Sequence, residues 1–284
     1  MIRIDLHAHS TASDGTLRPA ELMAAAATAG LDVVAITDHD TTAGWAAAAG
    51  ARPPGLALVR GAELSCRWHG AEPPISLHLL AYLFDPAYPS LVAELARVRA
   101  AREVRAERIV SLLRADGFDV TWDEVLAHAA GGTVGRPHIA QALIRAGLVG
   151  STSDAFAPEW LGRRYRVPKA ELDVFDALRL VRDAGGVAVF AHPRATRRGR
   201  IVDDELIVSL AREGLFGLEG EHTDHTPAER AHVRALAEGL GLAVTGSSDF
   251  HGTHKSVALG AETTTPGVYE RLVAASSGVT PVLR

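Results

Sequence analysis

Two histidines, His7 and His9, follow a short apolar stretch near the beginning of the chain. Residues 2–6 alternate between apolar and polar side chains, which predicts a strand with one buried face. Alternate residues of an extended chain point to the same side, so both imidazoles could contact one metal ion. Asp14 lies in an Asp-Gly turn that could return its carboxylate to the same point. A surface histidine pair before a turn explains these residues equally well, so the rest of the chain decides between the two interpretations.

Five further segments repeat this pattern, in which an apolar run is followed by histidine, aspartate or glutamate. The residues at these positions are His39, Glu63, His78, His192, and Asp249 together with His251. In α/β barrels, the residues at the carboxyl ends of the strands face the active site. We therefore predict that six strand ends bring their ligand-type side chains together at one mouth.

The predicted ligand set contains imidazole and carboxylate groups but no sulfur, which suits zinc, iron or manganese. Nine ligands exceed the need of one tetrahedral ion, and a glutamate can bridge two ions. We expect two or three divalent metal ions (Mn²⁺, Fe²⁺ or Zn²⁺) as cofactors. Clustered divalent cations supply a hydroxide at neutral pH and neutralise phosphoryl oxygens. The set therefore favours hydrolysis of a phosphate ester.

The composition is typical of a globular protein, with 47% hydrophobic and 22% charged residues among 284. The net charge of −5 argues against a surface that coats nucleic acid, so we expect no stable nucleic-acid complex. The single cysteine, Cys66, excludes an internal disulfide and fits a reducing compartment. We find no leader sequence and no apolar run of about 20 residues. We therefore expect a cytoplasmic protein without a membrane partner, and the oligomeric state stays open.

Alternating strand and helix patterns position these residues and predict an α/β barrel. The predicted strands include 33–36, 56–60, 187–190 and 242–245, with a last strand near 279–283. We count about seven strands, one fewer than in the regular eight-stranded barrel. Residues 87–167 read as an all-helical insertion with helices at 91–113, 138–146 and 151–160, so the barrel would comprise 1–86 and 168–284. Helix 91–113 is rich in arginine with interleaved glutamate, which indicates a solvated face.

As a set, these motifs resemble those of the PHP-domain (polymerase and histidinol phosphatase) phosphoesterases. The matching segments are Asp5 to Ser10, Ser13 to Gly15, Thr37 to Asp40, Gly61 to Glu63, Ala191 to Pro193 and Gly246 to His251. The resemblance implies a distorted (β/α)7 barrel of the α/β class that holds a trinuclear metal site. The implied ligands are His7, His9, Glu63 and Asp249 for one ion, Asp14, His39 and His192 for the second, and Glu63, His78 and His251 for the third. Some branches of the family have histidine at the position of Asp14.

The insertion, with its segment Gly135 to His138, resembles one branch of that family. The branch includes nucleoside 3′,5′-bisphosphate phosphatases, some of which trim RNA from the 5′ end, and a cyclic-phosphate dihydrolase. The insertion would cover the mouth of the barrel. Arg136 is the best candidate for binding phosphate, because its planar guanidinium matches phosphate oxygens. His138 would lie beside it at a helix N-terminus.

Three further residues, Arg194, His225 and Lys255, follow the metal motifs closely enough to reach the same pocket. We predict Arg194 and Lys255 as substrate-binding residues. We predict Asp249 and His225 as catalytic residues, with His225 as the acid that protonates the leaving oxygen. An ordinary surface charge is the alternative for each of the first three, and His222 and His254 stay unassigned.

The resemblance implies a metal-dependent phosphoesterase that removes phosphate from a small phosphorylated nucleotide, such as the 3′,5′-bisphosphate nucleotide pAp, by attack of a metal-bridging hydroxide. The alternatives within the enzyme class are a 5′→3′ oligoribonucleotide exonuclease acting on a short RNA 5′ end, a cyclic-phosphate dihydrolase and a histidinol-phosphate phosphatase. A non-catalytic module stabilised by metal is the alternative from another class. All nine ligand positions are occupied by ligand-type residues, which favours an enzyme.

Overall fold

The computed structural model describes residues 2–283, which form a nearly closed, barrel-shaped sheet surrounded by helices. The strands are β1 Ile4–Asp5, β2 Val33–Ile36, β3 Ala57–Trp68, β4 Ile75–Tyr82, β5 Leu172–Asp173, β6 Val187–Phe190, β7 Gly217–His222 and β8 Ala243–Ser247. The helices are α1 Pro19–Thr28, α2 Trp45–Ala51, α3 Pro89–Ala115, α4 Trp122–Ala129, α5 Arg136–Arg145, α6 Thr152–Ala155, α7 Val174–Asp183, α8 Asp204–Arg212, α9 Pro227–Leu240 and α10 Pro266–Ala275. Single 3₁₀ turns lie at Thr196–Arg198 and Gly252–His254. The predicted α/β barrel class is confirmed.

The strand order explains how the sheet closes. It runs β1-β2-β3-β4-β6-β7-β8, and β5 pairs with β3 outside this path. At the two ends of the order, the Asp5 carboxylate accepts hydrogen bonds from the backbone and hydroxyl of Ser248 at 3.0 and 2.6 Å. A parallel bridge also joins Ala8 to Phe250. These contacts bring the beginning of the chain beside the strand that carries Asp249.

The barrel departs from a regular parallel one at β4, which is antiparallel to both of its neighbours. Strand β3 extends for 12 residues and pairs with β4 from Gly61↔Tyr82 to Trp68↔Ile75. The sequence predicts only 56–60 and 75–77 here, because the polar residues between them interrupt the apolar pattern. The predicted strand near 279–283 is wrong. Within the described residues it is reduced to one antiparallel bridge between Leu58 and Val282.

Strand β2 shows why continuous apolar runs form these strands. All four of its residues are buried, and alternate side chains join different clusters. Val33 and Ala35 lie in a cluster with Leu80 and Val189, whereas Val34 and Ile36 pack in the larger cluster that includes residues of the surrounding helices. A strand covered on both faces has no polar side, so it reads as an unbroken hydrophobic run.

Helix α3 connects the barrel to the helical insertion. Its first half contributes Leu91, Leu95 and Val98 to the main core. Its second half contributes Ile109 and Leu113 to a separate cluster formed by residues 106–165. The boundary of the insertion at 87 stays a prediction, although the second cluster begins about five turns into the helix.

Two further features of the insertion concern its helix ends. Helix α4 begins with a capping box, in which the Thr121 hydroxyl accepts from the backbone of Glu124 and the Glu124 carboxylate accepts from the backbone of Thr121. The predicted helix over 151–160 is wrong beyond α6, which ends at Ala155. Pro158 explains the early end, because it lacks an N–H group and disfavours a helical conformation in the residue before it.

Among residues 2–283, no helix combines the length and the apolar character needed to cross a bilayer.

Candidate metal centre

The nine predicted ligands meet at one end of the barrel, where loops leave the strands. Two of them, His192 and Asp249, have positive φ values of 32° and 52°. Residues other than glycine rarely adopt this left-handed conformation. Strained backbone of this kind clusters at functional sites, where the surrounding structure enforces it. Here it turns two side chains inward just after β6 and β8.

Glu63 lies at the centre of the cluster, because its two oxygens face different histidines. Oε2 lies 3.3, 3.1 and 3.2 Å from His7 Nε2, His9 Nε2 and His39 Nδ1. Oε1 lies 2.7 Å from His78 Nδ1 and 3.2 Å from His192 Nε2. This arrangement suits a carboxylate that bridges two cations.

Three overlapping groups of side chains have ligand atoms within 4.8 Å of one another. They are His7, His9, Glu63 and Asp249; His9, Asp14, His39 and His251; and His39, Glu63 and His78. The first group is the one that the resemblance implied for the first ion. The other two differ from the implied partition, because His251 joins Asp14 and His39, whereas His192 belongs to none of the three groups.

The geometry of the two histidines explains this correction. His251 Nε2 lies 3.5 Å from Asp14 Oδ1, and the His251 ring stacks on His9 with centroids 4.0 Å apart. His192 instead contacts Glu63 and lies 5.6 Å from the His78 ring. Because β6 lies beside β4 in the sheet, the residue that follows β6 reaches His78 and not Asp14.

The donor atoms fit metal binding by a test that is independent of family resemblance. The Nδ1 atoms of His39 and His78 are buried and make no hydrogen bond within residues 2–283, although each lies within 3.2 Å of a Glu63 oxygen. Buried polar atoms are normally hydrogen-bonded, so such exceptions call for a ligand. Burial lowers the pKa of His39 and of His192 to about 3, which keeps these imidazoles neutral, as metal ligation requires.

Outside this cluster, buried carboxylates orient the ligands. Glu219 Oε1 lies 2.9 Å from His7 Nδ1, and its Oε2 accepts from the backbone N–H of His192 at 2.8 Å. The His7 imidazole holds the pKa of Glu219 well below its usual range despite burial. Asp38 accepts from the hydroxyls of Ser10 and Ser13 at 2.7 Å each, which fixes the loop that carries Asp14. Such outer partners set ligand orientation in metal sites.

A cavity of about 460 Å³ opens directly above the ligands. Its walls include six of the ligands and, from the surrounding loops and the insertion, Arg136, Phe156, Arg198, His254 and Lys255. A second cavity of about 230 Å³ adjoins it and shares His78, Arg136 and Arg198. Arg136, Arg198 and Lys255 therefore place cationic groups around the mouth of the candidate metal centre, which suits an anionic substrate.

Two of the four predicted substrate-binding residues lie in this cavity. The Arg136 guanidinium packs 5.1 Å from the Phe156 ring. Lys255 Nζ lies 2.6 Å from Asp249 Oδ2. His138 and Arg194 do not line it. His138 Nδ1 accepts from the backbone of Gly135, so this buried ring caps α5, and the buried Arg194 guanidinium donates to Asp204 and to the carbonyl oxygen of Val202. Surface charge was the alternative for Arg194, and that too is wrong.

The geometry counts against the predicted acid, His225. Its Nδ1 lies 2.9 Å from the carbonyl oxygen of Gly220, and its Nε2 accepts from the backbone N–H of Arg194 at 3.2 Å. The proton therefore resides on Nδ1 and is directed at a carbonyl. Burial also lowers the pKa of His225, so the ring has no proton available for a leaving oxygen.

Sequence reasoning missed Arg198 and left His222 and His254 unassigned. Arg198 donates to Asp249 Oδ2 at 2.6 Å and also to Asp224. His222 Nε2 is buried without a hydrogen bond and lies 3.5 Å from the same Asp249 oxygen. His254 follows the His251 motif by three residues, and this proximity was the only available signal. Nothing in the 196–198 segment marks Arg198, because its role depends on how the loop after β6 folds.

Comparisons with known proteins agree with this architecture. A family model for the PHP domain matches residues 5–114. A 5′-3′ exoribonuclease from Haemophilus influenzae is 36% identical over 88% of this chain and 90% of that protein. A 3′,5′-nucleoside bisphosphate phosphatase from Chromobacterium violaceum is 33% identical over 88% of each protein. A phosphoribosyl 1,2-cyclic phosphate 1,2-diphosphodiesterase from Eggerthella lenta is 31% identical over 87% of this chain and 94% of that protein.

A solved structure extends the similarity to the whole fold. It is that of a Bifidobacterium adolescentis protein described as a metal-dependent phosphoesterase. The two structures superpose with a TM-score of 0.91 and 37% sequence identity, over 96% of both chains.

Proposed function

This chain belongs to the PHP-domain family of phosphoesterases, and on that premise we propose that it removes phosphate from a small phosphorylated nucleotide, such as a nucleoside 3′,5′-bisphosphate. The observation that carries this proposal is the pairing of three overlapping ligand groups with a cation-lined cavity of about 460 Å³. Ligand pockets of a few hundred Å³ accommodate small molecules. The relative from C. violaceum, which is named for this activity, supports the same substrate class.

The ligand set would hold two or three divalent ions, and manganese, iron and zinc all suit its imidazole and carboxylate donors. When bound, such ions supply a nucleophile at neutral pH and neutralise charge on the phosphoryl group. The protein holds Asp249 for this role with Arg198 and Lys255, which both contact its Oδ2 atom and leave Oδ1 facing His7 and His9. These contacts keep the carboxylate ionised and correctly oriented.

Arg136 would bind the phosphate from the side of the insertion. Its guanidinium lines both cavities and donates a hydrogen bond of 3.4 Å to the carbonyl oxygen of Leu161. A planar guanidinium can donate two parallel hydrogen bonds to phosphate oxygens. The smaller cavity beside it includes Leu77, Phe190 and Ile201, which suits the nucleoside part of the substrate.

His254 takes the proton-donating role that the sequence assigned to His225. Its Nδ1 lies 2.9 Å from the carbonyl oxygen of Asp14 and therefore carries a proton. Nε2 is the atom left to hold a second proton, and the residue lines the large cavity. A histidine so placed can protonate a leaving oxygen during phosphate release.

A second candidate function is 5′→3′ trimming of a short RNA, favoured by the 36% identity to the H. influenzae exoribonuclease. A cyclic-phosphate diesterase is supported by the 31% identity to the E. lenta enzyme. The three substrate classes share a phosphate ester of ribose, so a direct assay distinguishes between them.

The test is a parallel assay with Mn²⁺ and four substrates: pAp, a 5′-phosphorylated short RNA, a cyclic ribose phosphate and histidinol phosphate. We expect phosphate release from pAp at the highest kcat/KM, and loss of that release in Asp249→Asn. His69→Ala is the matched control, because His69 is exposed in the turn between β3 and β4. Faster cleavage of another substrate would reassign the specificity. If fully metal-loaded protein cleaves none of the four substrates, the proposal is contradicted.

A further inference from the structure

Asp40 is buried directly after the ligand His39, in a backbone conformation that needs support. Its side chain is fully shielded from solvent, and its φ of 54° lies in the left-handed region. Residues other than glycine adopt this region uncommonly, because it crowds their Cβ atom. The loop that presents His39 therefore depends on contacts that hold Asp40 in place.

These contacts come from β3 and from the long helix α3. The Asp40 carboxylate accepts from the backbone N–H of Ser65 at 2.7 Å and from its hydroxyl at 2.9 Å. Arg102 of α3 donates from Nε to Asp40 Oδ2 at 2.8 Å, and its Nη2 lies 2.8 Å from the same oxygen. Arg99, almost one turn earlier, donates to the Asp40 backbone carbonyl at 2.8 Å. Two arginines of one helix thus hold both the side chain and the backbone of this residue.

A change in the conformation of this loop would move His39, which takes part in two of the three ligand groups. Its Nδ1 faces Glu63 at 3.2 Å and its Nε2 faces Asp14 at 3.8 Å. A small rotation of the loop would therefore disturb both groups together. The backbone N–H of Asp40 also donates to the carbonyl oxygen of Glu63 at 3.1 Å, so the loop is joined to the central ligand.

We propose that Arg102, assisted by Arg99, is a positioning residue that sets the orientation of the metal ligand His39 through Asp40. The interpretation of this helix as a solvated arginine face is wrong for these two side chains, which are partly buried against the barrel. A lysine cannot replace Arg102 fully, because only the guanidinium presents two nitrogens to one carboxylate oxygen and a third contact to the Ser65 hydroxyl at 2.6 Å. The inference rests on the metal-binding part of the proposed function.

The experiment compares Arg102→Ala with Arg97→Ala, its matched control on the same helix. Arg97 is half exposed and pairs with Glu94 of the same helix at 2.8 Å. We would titrate metal-free protein with Mn²⁺ by calorimetry, and with Co²⁺ by absorption spectroscopy, which reports ligand geometry directly. Removing an outer partner of a ligand weakens metal affinity about 10- to 100-fold. We expect a loss of that size and an altered Co²⁺ spectrum in Arg102→Ala, with Arg97→Ala like the wild type.

A second variant, Arg102→Lys, keeps the charge and protects the test if Arg102→Ala does not fold. We expect Arg102→Lys to bind Mn²⁺ with intermediate affinity. The inference is overturned if both Arg102 variants bind Mn²⁺ with wild-type affinity and give the wild-type Co²⁺ spectrum. If the alanine variant is unfolded, the same result for Arg102→Lys alone overturns it. Either result leaves the proposed function intact. Absence of Mn²⁺ binding in the wild type would instead remove the proposed function, and the inference with it.

Discussion

At the scale of single residues, the candidate metal centre depends on carboxylates that stay ionised among the surrounding imidazoles, although burial disfavours their charge. Burial alone would raise the pKa of Glu63, but the His78 and His39 imidazoles outweigh it and keep that pKa well below its usual range. For Asp249 the Lys255 ammonium has the largest such effect, followed by His7. Each acid is therefore ready to ligate without losing a proton first.

The first prediction concerns His39, which lies between two ligand groups. His39→Ala should reduce kcat for phosphate release below a tenth of the wild-type value, a barrier increase of more than about 1.4 kcal/mol. The fold should persist, because the side chain packs against other ligands and not in a hydrophobic cluster. Steady-state kinetics and circular dichroism measure the two effects. A variant with more than a tenth of the activity would show that His39 is not an essential ligand.

The second prediction concerns proton donation by His254. His254→Ala should slow release of phosphate from a nucleotide by about 10²-fold, since general acid catalysis contributes at least that much. The same change should hardly affect p-nitrophenyl phosphate, whose leaving group departs without protonation. The ratio of kcat for the two substrates is the measurement. Equal losses on both substrates would assign His254 a structural role.

The sequence indicated which side chains would meet in the candidate metal centre, but not how they are grouped. Histidine, aspartate and glutamate after apolar runs indicate a shared mouth, and the structure brings all nine together. The grouping of His192 and His251 depends on which strands are neighbours, which spacing along the chain does not encode. Arg198 is similar, since only the fold of its loop places it against Asp249.

At the scale of elements, the glycine-rich loop before α5 packs against the loop that carries Asp14. Thr133 donates from its backbone to the carbonyl oxygen of Ala12 at 2.8 Å. A Cβ atom on Gly132 would lie 2.2 Å from the carbonyl oxygen of Thr11, which is far too close for any side chain. Gly132 thus permits close approach of the insertion to the ligand loop.

The third prediction follows from that approach. Gly132→Ala should force the two loops apart, with the cost of about 1–3 kcal/mol that is usual for overpacking, and should lower both Tm and kcat/KM. Gly239→Ala in α9 is the control, because its added Cβ would meet no atom within 4 Å. Calorimetry and kinetics on both variants test the contact. If the two variants behave alike, the loops are not in close contact in solution.

Strand positions were predictable where an unbroken apolar run is buried on both faces, as in β2 and β6. The full lengths of β3 and β4 were not, because these strands carry Glu63, Arg67 and His78, polar residues that break the hydrophobic pattern. The polar residues of the candidate site thus made the strands that position them harder to predict. The opposite error occurred near 279–283, where valine and leucine suggested a strand. Among the described residues, that segment forms a single antiparallel bridge to the sheet.

At the scale of the whole molecule, metal binding should couple to stability and to pH. In the metal-free protein the Asp249 and Glu63 carboxylates outweigh burial and raise the pKa of His9 to about 9, and the pKa of His7 is raised too. A raised pKa in the folded state adds stability that is complete below pH 6.5 and is lost as the pH rises through the folded-state value. Metal affinity changes in the opposite direction, because cations compete with these protons.

The fourth prediction is that the Tm difference between Mn²⁺-loaded and chelator-treated protein widens from pH 6.5 to pH 8.5. A ligand at 1,000 times its Kd stabilises a protein by about 4 kcal/mol. For a chain of this size that corresponds to a Tm increase of roughly 8–16 °C. Differential scanning calorimetry at the two pH values measures the difference. A constant or narrowing difference would indicate that His7 and His9 do not exchange protons for metal.

The unbroken course of α3 has a consequence for how molecules enter and leave the site. Its 27 residues contain proline only at the first position and no glycine, and sharp helix kinks almost always need such residues or a comparable disruption. A rod about 40 Å long, anchored in one core and continuing into the other, gives the insertion no hinge on that side. We therefore expect the insertion to keep its position over the cavity. Substrate should then enter, and product should leave, by diffusion through an opening that does not close.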